Sequence, residues 1–299
     1  MSARTVCLIG FGEVGQTLAK DLTSAGIALA AWDVQFPDPD SLPSRALPNS
    51  GVRAAKSAAD ALRDASVIIS AVTAADCVAA AESAAPLLNP DSYFLDLNSV
   101  SPATKVAAHA LISRGAGQFV EAAVMSPIQP AGVRSPILTG GPHAAAFLPI
   151  AQELGFARMS VVSDAVGRAS ASKMCRSVMI KGVEALLTES LATARHYGVE
   201  EAVLDSLGEL LPARDWRALS SYMIRRSLQH GRRRAAEMRE VAVTVRGAGV
   251  TPWMSEATVA RQDWAAERMM ACTPEPILPL LDAILATIDG ESGERDADH

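Results

Sequence analysis

Lys173 lies in the segment SKMCRS, in a 299-residue chain where 22 of 27 basic residues are arginines and only five are lysines. An arginine stays protonated, whereas a lysine can exchange a proton near neutral pH when burial lowers its pKa. Oxidation of a secondary alcohol needs such a group, because the hydroxyl proton must leave as hydride departs from the same carbon. We therefore predict that Lys173 is a general acid/base. A solvated lysine on a helix face is the alternative.

Ser177 follows Lys173 by four residues, so the two share one face of a helix. Its hydroxyl could orient the amine or a substrate hydroxyl, and we include Ser177 with Lys173 as a candidate catalytic residue. Lys181, two turns past Lys173, is expected to be structural or peripheral.

Short apolar runs alternate with alanine-rich stretches from Thr5 onwards, beginning TVCLIG, GQTLAKDLTSAG, IALAAWD. Strand, helix and strand in this order indicate an α/β fold with a parallel sheet. Further strands are predicted at SVIISAV, YFLDLN, FVEAAVM, ILTGG and MSVVSD.

The pattern changes near Gly167. The absence of proline from there to Tyr197 predicts one helix of roughly 30 residues, about 45 Å long, which connects two domains and ends at Gly198. Helical spacing then continues, with breaks predicted at Pro212, Gly231, Pro252 and Pro274. The predicted architecture is a doubly wound parallel sheet over residues 1–165, an all-α domain carrying the substrate site and the dimer contact over 166–290, and a flexible tail over 291–299.

The stretch GFGEVG matches G-x-G-x-x-G directly after the first predicted strand and at the start of the first predicted helix. Glycines there permit a tight turn and let backbone amides approach a pyrophosphate, while the helix N-terminus favours negative charge. A plain glycine turn is the alternative. The sequence thus predicts a Rossmann-type dinucleotide site, with candidate cofactor-binding residues Gly10, Phe11, Gly12, Glu13, Val14, Gly15, Val72 and Thr73.

Asp33 ends the second predicted strand and completes the candidate cofactor site. An acidic residue there would hold the adenosine ribose hydroxyls and repel a 2′-phosphate. We therefore predict NAD as the cofactor, with NADP as the alternative. A simple cap of the strand end, beside the loop QFPDPD, is the competing role.

Composition excludes several classes of protein. A net charge of −6 argues against nucleic-acid binding. The chain has no run of about 18 apolar residues, which a membrane helix would need, and its first residues do not resemble a signal peptide. Its four cysteines are widely spaced, so neither a metal site nor a disulfide framework is expected, and a cytoplasmic location fits.

Five segments together resemble the β-hydroxyacid dehydrogenase superfamily, which includes 3-hydroxyisobutyrate and 6-phosphogluconate dehydrogenases: GFGEVG, DLNSVSP (96–102), EAAVMSP (121–127), LTGG (138–141) and GRASASKMCRS (167–177). The chain looks most like the bacterial branch with a phosphogluconate dehydrogenase-like C-terminal domain.

The resemblance implies a role for particular positions. Asn98 and Ser99 would lie beside the nicotinamide and the substrate, and Lys173 would be the acid/base lysine. Met125 and Ser126 stand where the family has a substrate-binding serine and a glycine, and Pro127 replaces the next glycine. Ser177 stands where the family has an asparagine. The candidate substrate-binding residues are therefore Asn98, Ser99, Met125 and Ser126.

Six arginines lie between Arg225 and Arg239. These arginines could bind a substrate carboxylate. We favour a solvated helix face or a subunit contact, because runs of charge are usually exposed. Three further residues are candidates for the wall of the substrate pocket: Glu237, Trp253 and Trp264.

The leading hypothesis is an NAD(P)-dependent oxidoreductase that oxidises a small 3-hydroxy acid and forms a homodimer or a dimer-based oligomer. A decarboxylating 6-phosphogluconate-type dehydrogenase is one alternative, although Glu184, three turns past Lys173, is too far to be its second acid. A non-catalytic NAD-binding protein is another. Imine reductases usually lack a lysine at the catalytic position, so Lys173 argues against them.

Overall fold

The computed structural model describes residues 4–48, 50–210, 215–273 and 275–295. The chain divides into two compact units, Met1–Met174 and Cys175–His299. None of the helices in the described ranges is long and apolar enough to cross a membrane.

The first unit is built on one eight-stranded sheet. In chain order the strands are β1 (Thr5–Ile9), β2 (Ala28–Trp32), β3 (Arg53–Ala54), β4 (Val67–Ser70), β5 (Tyr93–Asp96), β6 (Gln118–Val124), β7 (Ile137–Gly140) and β8 (Met159–Ser163). Their order across the sheet is β3-β2-β1-β4-β5-β6-β7-β8. The chain thus winds outward from β1 in both directions, which confirms the predicted doubly wound Rossmann sheet.

Six helices accompany the strands: α1 (Glu13–Ser24), α2 (Leu42–Ala46), α3 (Ala58–Leu62), α4 (Cys77–Ala84), α5 (Pro102–Arg114) and α6 (Ala144–Glu153). Strand residues alternate between two apolar cores because successive side chains point to opposite faces. Val6 and Leu8 belong to one core, and Cys7 and Ile9 belong to the other. The sheet is therefore covered on both faces.

One strand departs from the predicted parallel sheet. β7 is antiparallel to β6, while β8 is parallel to β7. The segment between β6 and β7 contains only the 3₁₀ turn Gly132–Arg134 and no crossover helix. A parallel pair needs a crossover to return the chain to the same end of the sheet, so this connection brings β7 back in the opposite direction.

The predicted long helix is confirmed as α7 (Arg168–Tyr197), a helix of 30 residues. Gly198 follows it with φ of 68°, a left-handed conformation suited to a helix end. The two compact units divide at Met174/Cys175, inside α7. The domain boundary at 165/166 stays a prediction, and the bonds of Glu121 described below explain why the first turns of α7 belong to the sheet unit.

The second unit is helical, as predicted. After α7 it contains α8 (Glu200–Leu210), α9 (Trp216–Gly247), α10 (Trp253–Glu267), the 3₁₀ segment Met269–Cys272 and α11 (Ile277–Arg295). Its apolar core includes Leu191, Leu228 and Leu281. α11 overlaps the first part of the tail predicted over 291–299, and residues 296–299 lie outside the described residues.

The helix break predicted at Gly231 is wrong, since α9 runs through it without interruption. A Cβ added at Gly231 would lie 2.5 Å from the carbonyl oxygen of Gln262 and 2.7 Å from the backbone nitrogen of Ala266, both on α10. The glycine therefore allows two helix backbones to approach closely. The break at Pro252 is confirmed, because Pro252 is the N-cap of α10. The breaks predicted at Pro212 and Pro274 fall on residues outside the described ranges.

We expect Gly231→Ala to lower the free energy of unfolding by about 1 to 3 kcal/mol, because α10 must move to admit the methyl group. Chemical denaturation measures the change. Gly247→Ala is the matched control on the same helix, since no atom lies within 4 Å of its added Cβ. Equal stabilities of the two variants would contradict the close-packing explanation.

Candidate functional site

The glycine loop between β1 and α1 is shaped by two positions without room for a side chain. Gly10 has φ of 93°, and a Cβ there would lie 2.4 Å from the carbonyl oxygen of Ala71. A Cβ at Gly15 would lie 2.2 Å from the carbonyl oxygen of Gly10. Gly12 differs, because no protein atom lies within 4 Å of its added Cβ. The space over Gly12 is open, as backbone approach to a pyrophosphate requires.

Asp33, directly after β2, is tied to this loop. Its Oδ2 accepts a hydrogen bond from Phe11 N at 2.7 Å, and its Oδ1 accepts one from Gln35 N at 2.9 Å. Each carboxylate oxygen can accept more than one hydrogen bond. Asp33 therefore fixes the loop and retains acceptor capacity for ribose hydroxyls.

Asn98 is buried and is bonded to the backbone of Val72, two residues after the end of β4. Its Oδ1 accepts a hydrogen bond from Val72 N at 2.7 Å, while its Nδ2 donates to Ser70 Oγ at 3.0 Å and Cys77 Sγ at 3.5 Å. Both amide protons thus have protein acceptors. The neighbouring Thr73 hydroxyl donates to Asp76 Oδ2 at 2.5 Å.

Asn98 is bonded to a buried ion pair between Asp96 and Lys105, which was not predicted from the sequence. Lys105 Nζ is 3.0 Å from Asp96 Oδ1 and donates to the carbonyl oxygens of Asp96 at 2.8 Å and Ala122 at 3.4 Å. Asp96 Oδ1 also accepts from Asn98 N at 2.9 Å. Burial raises the pKa of the Cys77 thiol to about 12, so the neutral thiol donates to Asp96 Oδ2 at 3.6 Å. The Asp96–Lys105 pair therefore restrains the backbone of Asn98.

The Ser99 hydroxyl is buried and has no hydrogen-bond partner among the described residues. An unpaired buried hydroxyl is costly unless a bound molecule or water satisfies it. This is consistent with the ligand contact that the resemblance implies for Ser99, which remains a prediction.

Glu121 on β6 anchors the start of α7. Its side chain is fully buried, with Oε2 accepting from Gly167 N and Oε1 from Ser170 N, both at 2.7 Å. The amides at a helix N-terminus lack helical partners, and a negative charge there is favourable. The carboxylate thus fixes the helical turn that carries Lys173, whose side chain is half-buried.

Met125 and Ser126 follow β6. Met125 N donates to the carbonyl oxygen of Pro136 at 2.9 Å, and the Ser126 hydroxyl donates to the carbonyl oxygen of Pro127 at 3.0 Å. Both residues are half-buried. The Ser126 proton is therefore engaged locally.

Within the second unit, Ser177 and Lys181 are both buried on α7. Lys181 Nζ donates to Ser177 Oγ at 3.1 Å and lies 2.8 Å from Glu237 Oε2 on α9. Lys181 is therefore part of a defined polar group and not a peripheral residue.

The arginines between Arg225 and Arg239 do not share one environment. Arg234 is buried and forms an ion pair with Glu184, while Arg226 lies 3.8 Å from the same carboxylate. Arg225, Arg233 and Arg239 face Glu275, Glu237 and Asp263. A solvated helix face thus describes only part of this cluster, because Arg234 is buried.

The three candidate pocket-wall residues have different environments within the second unit. Glu237 belongs to the Lys181 group. Trp253 is 74% exposed. Trp264 packs against the helical core and lies under the guanidinium groups of Arg261 and Arg268.

One sequence signal could have found the missed residues. The scarcity of lysine drew attention to Lys173, but it applies equally to Lys105 and Lys181. Both are buried, and charged side chains are rarely buried unless they are paired.

Two family models match the chain. The "NAD binding domain of 6-phosphogluconate dehydrogenase" matches residues 5–155, and a domain of unknown function, DUF1932, matches residues 194–265. The first unit therefore contains an NAD(P)-binding domain.

Solved structures extend the similarity over nearly the whole chain. A conserved hypothetical protein from Sinorhizobium meliloti 1021 is 37% identical over 94% of this chain and 96% of that one, with a TM-score of 0.73. A conserved protein of unknown function, described as structurally similar to 3-hydroxyacid dehydrogenases, is 32% identical over 88% of this chain and 97% of that one, with a TM-score of 0.69.

More distant structures share the fold. The Mycobacterium tuberculosis 3-hydroxyisobutyrate dehydrogenase with L-serine is 17% identical over 95% of this chain and 99% of that one, with a TM-score of 0.71. A Streptomyces aurantiacus imine reductase is 18% identical over 95% and 99%, with a TM-score of 0.52.

We expect Gly12→Ala to weaken NAD(P)H binding about tenfold or more, because the methyl group would occupy the approach of the pyrophosphate to the backbone. Its thermal midpoint should stay within about 2 °C of the original, since a surface substitution without new contacts changes stability little. Fluorescence titration and thermal unfolding give the two numbers. Gly15→Ala is the contrasting variant, destabilised by its clash with Gly10. Normal affinity of the Gly12 variant would place the dinucleotide elsewhere.

Proposed function

This chain belongs to the β-hydroxyacid dehydrogenase superfamily, and from that premise we propose that it oxidises a small 3-hydroxy acid with NAD(P), using Lys173 as general acid/base. The observation that carries the proposal is the anchoring of α7 by Glu121. It places the half-buried Lys173 on a helical turn fixed to the same sheet as the glycine loop. A solvated lysine would need no such anchor.

The proposed reaction needs one proton acceptor from the protein and one hydride acceptor from the cofactor. The bound NAD(P)⁺ supplies the hydride acceptor. Lys173, as the neutral amine, takes the proton of the substrate hydroxyl while hydride leaves the carbinol carbon, so the alcohol becomes a carbonyl group. The resulting ammonium then returns its proton to solvent. In the reverse direction the same ammonium protonates the alkoxide oxygen.

The substrate proposed is a non-phosphorylated 3-hydroxy acid with a larger or more apolar substituent than 3-hydroxyisobutyrate. Met125 adds a flexible apolar side chain, and the Ser126 proton already has an acceptor. Five of the six arginines between Arg225 and Arg239 face a carboxylate of the second unit. A phosphorylated, many-hydroxyl acid would therefore find few free donors, and each unpaired polar group that it buried would cost about 1 to 3 kcal/mol.

We expect Lys173→Ala to lower turnover by about 10² to 10⁴, the usual contribution of a general acid/base. Its NAD(P)H affinity should stay within a few-fold, because the glycine loop is unchanged. Both are measured on hydroxy acids that the unmodified enzyme oxidises, with Lys173→Arg as a control that keeps the charge but cannot exchange the proton. Near-normal turnover of the alanine variant would remove Lys173 from the reaction.

The substrate panel should contain 3-hydroxy acids with lengthening alkyl or aryl groups, together with 6-phosphogluconate and a cyclic imine, each tested with NAD and NADP. The highest kcat/KM is expected for a longer 3-hydroxy acid, oxidised without obligatory loss of CO₂. NAD should be preferred because Asp33 repels a 2′-phosphate. A preference for 6-phosphogluconate, or for reduction of the imine, would replace the proposed substrate class. NAD binding without any turnover would favour the non-catalytic alternative.

We also propose a homodimer, or a dimer-based assembly, built on the helical unit. Several large apolar side chains there are exposed in the single chain: Tyr222, Val250, Trp253, Met254 and Met270. Closed two-fold dimers are the commonest oligomers and cover such surfaces. Light scattering at micromolar concentration should return at least twice the chain mass, and a monomer mass would refute the assembly.

A further inference from the structure

The ammonium group of Lys105 joins two neighbouring strands of the sheet near their carboxyl ends. Lys105 is on α5, and its side chain is fully buried. Its three donors meet three acceptors: Asp96 Oδ1 at 3.0 Å, the carbonyl oxygen of Asp96 at 2.8 Å and the carbonyl oxygen of Ala122 at 3.4 Å. Since an ammonium group carries exactly these three donors and no acceptor, Lys105 fixes the end of β5 both to β6 and to the Asp96 side chain.

The charged pair supplies orientation rather than extra stability. A buried ion pair loses much of its Coulomb energy to desolvation, and apolar side chains of similar volume are often as stable. Asp96 Oδ1, however, also accepts a hydrogen bond from Asn98 N at 2.9 Å. An apolar side chain at position 96 could fill the space but could not hold the backbone of Asn98.

Asn98 extends this restraint to the next strand and to the glycine loop. Its Oδ1 accepts from Val72 N at 2.7 Å, two residues after the end of β4. A Cβ built at Gly10 would lie 3.0 Å from Val72 Cγ1 and 2.4 Å from the carbonyl oxygen of Ala71. In addition, Ala71 N donates to the carbonyl oxygen of Ile9 at 2.8 Å. The segment that Asn98 holds therefore packs directly against the first glycine of the glycine loop.

We propose that Lys105 and Asp96 are positioning residues for the nicotinamide half of NAD(P), acting through Asn98 on the segment after β4. In a doubly wound sheet a dinucleotide crosses the point where the strand order reverses. Here that point lies between β1 and β4. The adenosine half belongs on the β2 side, where Asp33 follows the strand, so the nicotinamide half belongs over β4 and β5. The inference rests on the NAD(P)-binding domain and not on the proposed substrate or on Lys173.

The test compares binding of NADH with binding of AMP, which carries the adenosine half alone. Fluorescence titration measures the affinity for NADH, and displacement of NADH measures the affinity for AMP. In the double variant Asp96→Leu/Lys105→Met an apolar pair replaces the charged one, and Asn98 N loses its acceptor. Binding of NADH should weaken about 3- to 30-fold, as is common for residues that act on a site through others. Binding of AMP should be unchanged.

Two further variants separate orientation from stability. Asp96→Asn/Lys105→Met also removes both charges but keeps an oxygen that can accept from Asn98 N, so it should recover part of the affinity for NADH. Ile112→Val shortens a fully buried side chain on the same helix as Lys105. It should lower the thermal midpoint, as loss of a buried methylene group does, and leave both affinities unchanged.

Hydrogen exchange follows the route of the effect without any ligand. The Val72 amide is bonded to Asn98 Oδ1, and it should exchange faster in Asp96→Leu/Lys105→Met than in the unmodified protein. In Ile112→Val the exchange of the Val72 amide should stay closer to that of the unmodified protein. This comparison shows whether the change reaches the segment after β4.

A loss specific to NADH together with faster exchange of the Val72 amide supports the proposal. Equal losses for NADH and AMP, an unchanged affinity for NADH, or a loss without faster Val72 exchange overturns it. If the apolar pair prevents folding, Val72→Ala decides, because this half-buried side chain is the last contact before Gly10. A loss specific to NADH in that variant supports the proposal, and unchanged NADH binding overturns it. No hydroxy acid is used, so absence of turnover would remove the proposed function and leave this result unaffected.

Discussion

Two hydrogen bonds to Glu121, from the backbone nitrogens of Gly167 and Ser170, fix the start of α7 to the sheet. A 30-residue helix leaves its first amides without helical acceptors. Here the carboxylate of Glu121 on β6 accepts hydrogen bonds from two backbone nitrogens at the start of the helix. Because Glu121 is on β6 and fully buried, the start of α7 has one position relative to the strands. The proposed chemistry needs that precision, since proton transfer requires hydrogen-bond distance between the lysine and the substrate.

Buried polar side chains also fix the backbone at the carboxyl ends of β4 and β5. Asp96 binds the backbone nitrogen of Asn98 and the ammonium of Lys105, and Asn98 in turn holds Val72. Three buried polar side chains thus form one connected network with nearly every hydrogen-bonding group satisfied. Networks of this kind are stabilising when complete and costly when one member is removed. The loops at the carboxyl ends of the strands, where doubly wound folds bind their ligands, are therefore held from within the protein.

Much of this architecture could be predicted from sequence because its signals are local. The alternation of apolar runs predicted every strand except the two-residue β3 (Arg53–Ala54). The long segment without proline predicted α7, and the glycine spacing predicted the turn between β1 and α1. The missed features depend on contacts between distant residues. Gly231 looks like a helix break until α10 is known to pack against it. The antiparallel β7 follows from a connection whose lack of a helix is not evident from the strand patterns. The partners of Lys105 and Glu121, and the Glu237 partner of Lys181, are 9 to 56 residues away, beyond the reach of helix or strand periodicity.

Two buried lysines, Lys105 and Lys181, occupy environments that suit a lysine better than an arginine. Arginine suits carboxylates presented edge-on, as in the two bonds from Arg195 to Asp282 at 2.6 and 2.9 Å. Lys105 instead meets a carboxylate oxygen and two backbone carbonyls from separate strands. A compact ammonium with three rotatable donors can satisfy such an arrangement, whereas a planar guanidinium cannot. Lys181 likewise bonds to one hydroxyl and one carboxylate from two helices. Lys105 and Lys181 thus lie where a compact ammonium meets acceptors from separate elements, and the proton exchange proposed for Lys173 also requires a lysine.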